Sequence, residues 1–114
     1  METPSAGSIV LVPFPFSDLT NSKLRPAVVI ADAGKGDWVM CQITSNPYSD
    51  LSAIRVTDDD FYTGSLKLVS FVRPGKLFTA NESLIAVHIG ELKQDTFERI
   101  VTAVIGLLRS GLDK

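Results

Sequence analysis

The sequence predicts a mainly β fold, a small and strongly bent antiparallel sheet with one amphipathic helix at its C-terminal end. Three observations lead there. Apolar runs are short and are separated by clusters of Gly, Pro, Asn, Asp and Ser. The apolar spacing changes from strand-like to helical only near the C-terminus. No repeat, low-complexity tract or linker interrupts the chain, so residues 1–114 read as a single domain.

Ser8 to Val12 is a short apolar run ending at Pro13 and reads as a strand. Pro13-Phe14-Pro15-Phe16 is expected to leave the sheet, because each proline lacks a backbone donor. Ser17 to Ser22 is a polar loop. Arg25 to Ala31 is a strand apolar on both faces. Gly34-Lys35-Gly36-Asp37 is a turn with two glycines free to take positive φ. Trp38 to Thr44 is the returning strand of that hairpin.

Asn46 to Asp50 reads as a loop, and Ala53 to Thr57 as a short strand with Ile54 and Val56 on one face. Asp58 to Gly64 is a turn. Leu66 to Val72 and Lys76 to Thr79 are strands broken at Pro74-Gly75, and Leu84 to Ile89 is another short strand. Phe97, Ile100, Val101, Val104, Ile105 and Leu108 then follow the i, i+3, i+4 spacing of an amphipathic helix. Gly111 is its expected stop.

A domain of 114 residues buries about two-thirds of its unfolded surface, enough for a modest core. Hydrophobic residues make up 45% and charged residues 21%, ordinary for a globular protein. No apolar run reaches the ~18 residues of a membrane span. The N-terminal residues lack the basic and apolar regions of a signal peptide. One cysteine makes no internal disulfide, and no Cys/His cluster offers a zinc site. The expected location is the cytoplasm.

Net charge is −2, which is not the footprint of a dedicated nucleic-acid binder. Placement matters more than the sum. Lys23, Arg25, Lys67, Arg73 and Lys76 sit near the central strands, whereas Asp58-Asp59-Asp60 gathers acid elsewhere. This spacing allows a local basic groove on an acidic protein.

Several chemistries are missing. His88 is the only histidine, so no two-histidine acid–base pair exists within one subunit. Consecutive Asp58, Asp59 and Asp60 read as a solvated turn rather than a Mg²⁺ site. There is no Gly-rich phosphate loop and no nucleophile elbow. Cys41, in mid-strand, reads as a buried inert thiol, Trp38 as core or dimer interface, and His88 as structural.

What remains is a convergence. If the hairpin strands pair, Arg25 at the start of one lies beside Thr44 and Ser45 at the end of the other. A fixed guanidinium fork and two adjustable hydroxyls suit a phosphate. The competing reading gives Arg25 a structural ion pair and makes Thr44 an ordinary strand residue.

These segments carry a family resemblance. Gly7-Ser8-Ile9-Val10-Leu11-Val12-Pro13-Phe14-Pro15-Phe16-Ser17-Asp18-Leu19, then Lys23-Leu24-Arg25-Pro26-Ala27-Val28-Val29, resembles the opening of PemK/MazF-like toxins of bacterial toxin–antitoxin systems. Ile43-Thr44-Ser45, the segment from Ser70 to Thr79, and Ile89-Gly90-Glu91-Leu92 follow in the family's order. The resemblance runs from Gly7 to about Leu108. Ser8 stands where the family often has Asp, and Gly75 likewise.

The resemblance implies an SH3-like barrel with added helices, usually a homodimer. It implies a metal-independent endoribonuclease, needing no cofactor, that cleaves single-stranded RNA. The products would be a 2′,3′-cyclic phosphate and a 5′-hydroxyl. Arg25 and Thr44 would be the catalytic residues. RNA supplies its own nucleophile, the 2′-hydroxyl, so the enzyme needs only to align the backbone and stabilise extra negative charge. Arg25, with a pKa above ~12, suits electrostatic stabilisation better than proton abstraction.

Ser45, Phe14, Phe16, Lys23, Arg73 and Lys76 are the candidate substrate contacts. Phe14 and Phe16 either stack on bases or plug the barrel end. Arg73 and Lys76 either meet phosphates or stay solvated. The implied partners are RNA, an acidic antitoxin segment lying across the RNA groove, and operator DNA through the antitoxin complex only, with no membrane. Two rivals share the fold class: a non-catalytic binding module, and a CcdB-like gyrase poison. The second depends on a Trp-Gly-Ile-type terminus, which Ser110-Gly111-Leu112-Asp113-Lys114 lacks.

Overall fold

A computed structural model describes residues 3–14 and 23–113. Its strands are β1 (Ser8–Phe14), β2 (Lys23–Gly34), β3 (Asp37–Thr44), β4 (Ile54–Val56), β5 (Phe61–Gly64), β6 (Ser70–Asn81) and β7 (Val87–Leu92). One α-helix follows, α1 (Gln94–Ser110). The strands form one curled sheet in the order β4-β6-β3-β2-β1-β7-β5. All of its pairings are antiparallel. The architecture is a mainly β half-barrel with a C-terminal helix, as the sequence predicts.

Alternation along the strands gives the sheet two apolar faces. One collects Ile9, Val28, Cys41, Ile43 and Val72, and α1 adds Ile100 and Val104 to it. The other collects Val10, Val12 and Phe14 from β1, Ala27 and Val29 from β2, Trp38 and Met40 from β3, and Ala80 from β6. Within α1 the buried stripe narrows to Thr96, Ile100 and Val104. Ile105 and Leu108, expected on that stripe, are 48% and 61% exposed. Gly111 does cap the helix, but in a right-handed conformation that continues as a short 3₁₀ turn.

Several boundaries differ from expectation, each for a physical reason. β1 runs on through Pro13 and Phe14, which pair with Leu24 and Lys23. The carbonyl of Leu11 accepts from Ala86 N at 2.9 Å, so Leu11 faces the β7 side. Pro13, two residues on, faces that side too, but β7 pairs no further than Leu11–Val87. Its missing N–H therefore costs no ladder bond. The same logic holds for Pro26, opposite Leu11: its nitrogen faces β3, and β2–β3 pairing stops one residue earlier, at Ala27–Gln42.

The expected break at Pro74-Gly75 is a bulge within a continuous β6. Cys41 pairs with Leu77 and Ile43 with Val72, so three extra residues sit on β6 between these pairs. An odd insertion exchanges the two faces: Val72 packs on the helix side, and Phe78 on the other. β6 begins at Ser70 rather than Leu66, and the strand expected from Leu84 lies at Val87–Leu92. Phe61–Gly64, expected within a turn, is edge strand β5.

The acidic triplet is not uniformly solvated. Asp58 and Asp59 are exposed, while Asp60 is half-buried and ties α1 to the sheet. It accepts from Thr57 N at 2.8 Å and from the Thr96 hydroxyl at 2.8 Å. Burial pushes its carboxyl up, but these bonds and the Arg99 charge outweigh that and hold it below the usual carboxylate range.

Candidate active site at the open end of the hairpin

Four strands carry apolar side chains along the face opposite α1, and each row ends in a residue able to do chemistry. On β1 the row is Val10, Val12, Phe14, and on β2 it is Val29, Ala27, Arg25. On β3 it is Trp38, Met40, Gln42, Thr44, and on β6 it is Ala80, Phe78, Lys76. Phe14, Arg25, Gln42, Thr44, Lys76 and Phe78 line one cavity of about 380 Å³, with Tyr48, Gly75 and Leu77 completing it. That size lies within the ~300–1,000 Å³ of small-molecule sites.

The cavity exists because β2 and β3 part. Their ladder ends at Ala27–Gln42, where Pro26 offers β3 no donor. Continuing the same register by two residues puts Arg25 opposite Thr44, as the hairpin argument requires. β3 meanwhile turns to β6, pairing Ile43 with Val72 and Thr44 with Phe71. A second cavity of about 400 Å³ opens on the helix side of the notch. Leu11, Leu24, Pro26, Ile43 and Ile89 line it, with the hydroxyl residues Ser45, Ser65 and Ser70. Arg25 and Thr44 border both cavities.

Arg25 is exposed, and among the described residues it has no carboxylate partner. The ion-pair reading of Arg25 thus finds no partner among the described residues. Among the described residues no Asp or Glu lines either cavity. Arg25 and Lys76 thus place positive charge against a partly desolvated wall without local compensation, which attracts anions even on an acidic protein.

Thr44 is engaged: its hydroxyl donates to Asn46 O at 3.0 Å and accepts from Asn46 N at 3.1 Å. It forms the turn that ends β3. To donate to a phosphate it must release the Asn46 carbonyl, a rotation of one hydroxyl. Ser45 is exposed at the second cavity. Phe14 is buried and meets Phe78 edge-to-face, with centroids 4.8 Å apart and planes at 80°. It closes the core row and walls the cavity, the place expected of a residue that plugs the barrel end.

Other expected contacts separate. Lys23 is exposed at the start of β2 and lines neither cavity. Arg73 also lies outside both; its Nε donates to Asp50 at 2.9 Å. The Ser52 hydroxyl, Arg73 and the Ser52 amide together hold the Asp50 carboxyl down at about 2. This set fastens the loop containing Tyr48 and Ser49, both non-glycine residues at positive φ of 52° and 66°. Phe16 lies outside the described residues, as does the loop from Ser17 to Ser22.

Sequence reasoning missed Gln42, Tyr48 and Phe78. The signal for two of them was available: Gln42 continues the Trp38–Met40 row by two, and Phe78 precedes Ala80 by two. Nothing in the sequence tied Tyr48 to the cavity.

The remaining titratable groups lie elsewhere. Cys41 is fully buried, and burial pushes its thiol up to about 12, consistent with an inert side chain. His88 Nε2 lies 2.7 Å from Glu91 Oε2, and the buried Ser8 hydroxyl donates to the same oxygen at 2.6 Å. This network joins β1 to β7 away from both cavities. Among the described residues no three His, Cys, Asp or Glu side chains converge as metal ligands, and no helix is long and apolar enough to cross a membrane.

Residues 5–108 match the family described as PemK-like, MazF-like toxin of type II toxin–antitoxin system. Among solved structures, the fold resembles an endoribonuclease in complex with its cognate antitoxin from a Mycobacterial species. That match has a TM-score of 0.71 at 16% identity and covers 95% of each chain. MazE–MazF from Deinococcus radiodurans is similar with a TM-score of 0.71 at 18% identity, covering 95% of this chain and 97% of that one. Mycobacterium tuberculosis toxin MazF-mt6 gives 0.68 at 16% identity, covering 89% and 95%. At such identities these likenesses concern the fold. No curated protein matches the chain in a sequence search.

Proposed function

From the premise that this chain belongs to the PemK-like, MazF-like toxin family of type II toxin–antitoxin systems, we propose that it is an endoribonuclease acting on single-stranded RNA at the notch between β2 and β3. The observation that carries this reading is that Arg25, without an ion-pair partner among the described residues, and Thr44 together line two cavities to which no described carboxylate contributes.

A phosphate seated in the notch has one flanking nucleotide on each side. The 2′-oxygen attacks the adjacent phosphorus and gives its proton to solvent, the P–O5′ bond breaks, and the leaving 5′-oxygen takes a proton back from solvent. The products are a 2′,3′-cyclic phosphate and a 5′-hydroxyl. Arg25 stabilises the charge of the pentacoordinate state through two parallel N–H donors. The Thr44 hydroxyl adds a third donor on leaving Asn46 O. Lys76 holds a neighbouring phosphate. The first cavity's described lining brings two cationic side chains and no carboxylate, a set suited to a phosphate rather than to a divalent cation.

Family membership also supports the remaining partners. The toxin acts in the cytoplasm as a homodimer. An acidic antitoxin segment covers the cationic notch, and operator DNA is reached only through that complex. One observation favours the rival of a non-catalytic binding module: the Thr44 proton is already committed to Asn46.

The test is cleavage of a single-stranded RNA in excess EDTA. We expect cleavage to persist and to leave 5′-hydroxyl ends that a polynucleotide kinase labels directly. Activity that EDTA abolishes and Mg²⁺ restores overturns the mechanism. Absence of cleavage in either condition, with antitoxin binding intact, favours the binding module.

A further inference from the structure

We propose that the cavity on the face opposite α1 is a base-reading subsite, in which Gln42 determines which nucleotide may lie beside the cleaved phosphate. The proposal rests on the reading of the notch as an RNA-cleaving site and adds to it the residue that selects the substrate.

The argument begins with the polarity of the four rows. Three of them end in groups expected at any phosphate site or wall: Arg25, Lys76 and Phe14. The β3 row passes through Gln42 before reaching Thr44, at a position where its neighbours Trp38 and Met40 are buried. Gln42 is half-buried, and among the described residues its amide has no hydrogen-bond partner. A half-buried amide with two N–H donors and one carbonyl acceptor, all unmet, is matched by a ligand edge that offers the complement.

A nucleobase offers that edge and also a flat apolar face. The walls supply aromatic surface for the face. Phe78 is half-buried beside Phe14, and Tyr48 is 73% exposed at the rim. Tyr48 is held there in a left-handed backbone by the Asn46 side chain, which accepts from Tyr48 N at 3.0 Å, and by the Asp50–Arg73 pair. A non-glycine residue kept at positive φ by two anchors is positioned rather than accidental. Arg73 is thereby a positioning residue for this rim. Lys76 and Arg25 stand at the cavity where the sugar–phosphate backbone would pass.

The second cavity contrasts with this one. Besides Arg25 and Thr44, which both cavities share, it is lined by aliphatic side chains, serine hydroxyls and Lys67, and among the described residues it has no side-chain amide and no aromatic ring. Discrimination by hydrogen bonding is expected to be strong on the Gln42 side and weak on the other, because a mismatched base leaves the Gln42 amide unpaired and desolvated.

The experiment compares cleavage sites in a random single-stranded RNA pool for the wild type, Gln42→Glu and Gln42→Leu, by sequencing the new 5′ ends. Gln42→Glu is nearly isosteric and replaces the donors by acceptors. It should shift one position flanking the cut toward guanine, whose N1–H and N2–H₂ are adjacent donors for a carboxylate. Gln42→Leu should flatten the preference there, each change being about tenfold, the worth of one hydrogen bond. Preferences at other positions should not move. Identical profiles in all three proteins overturn the Gln42 assignment and leave the notch reading standing. A wild type that cuts no RNA overturns both. If the variants bind but do not cleave, affinities for four oligonucleotides carrying 2′-deoxy at the cut position and differing in one flanking base give the same comparison. Equal ranking of the four by wild type and variants again overturns the assignment.

Discussion

The two ends of the β2–β3 hairpin are made by the same alternating strands and use their polar groups in opposite ways. At the closed end amides, carboxylates and the Trp38 indole find partners inside the protein. Gly34 N donates to Asp32, Glu82 N to Gly36 O at 2.7 Å, Asn81 Nδ2 to Asp37 at 3.0 Å, and Trp38 Nε1 to Glu82 at 3.0 Å. At the open end Arg25, Gln42 and Lys76 have no such partner among the described residues. Polar residues at the closed end complete backbone bonding and hold the register. Those at the open end are left for something that arrives from outside. The difference begins at one residue, Pro26, which ends the ladder and lets the strands part.

If this contrast is right, the two ends fail differently. The largest effect is expected at Arg25. Arg25→Lys keeps the charge and loses the bidentate fork. RNA cleavage should fall by about 10²-fold or more, as with loss of a preorganised donor elsewhere. The melting temperature should stay close to wild type, since no internal partner is abandoned. Affinity for an uncleavable 2′-deoxy substrate should fall much less, because one phosphate contact is a small part of binding. Unfolding of this variant would show Arg25 to be structural and would erase the contrast.

Thr44 stands between the two behaviours, with its hydroxyl tied inward but able to turn outward. Thr44→Val should lower cleavage by roughly tenfold, the worth of one neutral hydrogen bond. It should also loosen the Asn46 turn slightly. Thr44→Ser keeps the hydroxyl and should stay near wild type in both assays. If the valine variant loses stability and activity in parallel while the serine variant recovers both, Thr44 belongs with the closed end.

Gly36→Ala supplies the mirror case. Gly36 sits at φ +82°, and a Cβ there would meet Asn81 Nδ2 at 3.2 Å. The left-handed conformation costs a non-glycine residue about 1–2 kcal/mol. Thermal denaturation should show that loss, whereas cleavage per folded molecule should be unchanged. A turn variant that alters cleavage at full occupancy of the folded state would mean the ends communicate.

The hairpin was the most legible part of the sequence because three signals agreed there: two apolar runs, a Gly-rich turn and an arginine facing a threonine. The placement of Arg25 beside Thr44 followed from that register, whereas the catalytic task proposed for them came from the family resemblance. β5 was illegible for a different reason. Its pairing depends on Gly64 lying against Gly90, where a Cβ on either would meet backbone oxygen at 2.2 Å. That closeness is tertiary and leaves no local pattern. The role of Arg73 was hidden likewise, since its partner Asp50 is 23 residues away in an irregular loop. Pro13 misled in the direction of caution: a proline forbids one bond on one side, and only the topology tells whether that side is occupied.

The smallest effect concerns the loop that frames the open end, and it is read by pH. Asp50 is held at about 2 by the Ser52 hydroxyl, Arg73 and the Ser52 amide, against an ordinary value of 3.8. Its folded pKa is depressed, so the loop's fastening is complete above pH ~4 and is lost as pH falls toward about 2. In that window the protection of the Tyr48 and Ser52 amides, taken as exchange relative to the intrinsic rate at each pH, should fall. Trp38, buried at the closed end with its own bond to Glu82, should keep its emission until the whole domain unfolds. In Asp50→Asn that protection should already be low at pH 5 and should change little on acidification, because no carboxyl remains there to protonate. If Trp38 emission and loop exchange instead move together, the two ends unfold as one unit, and the independence argued from their bonding is wrong.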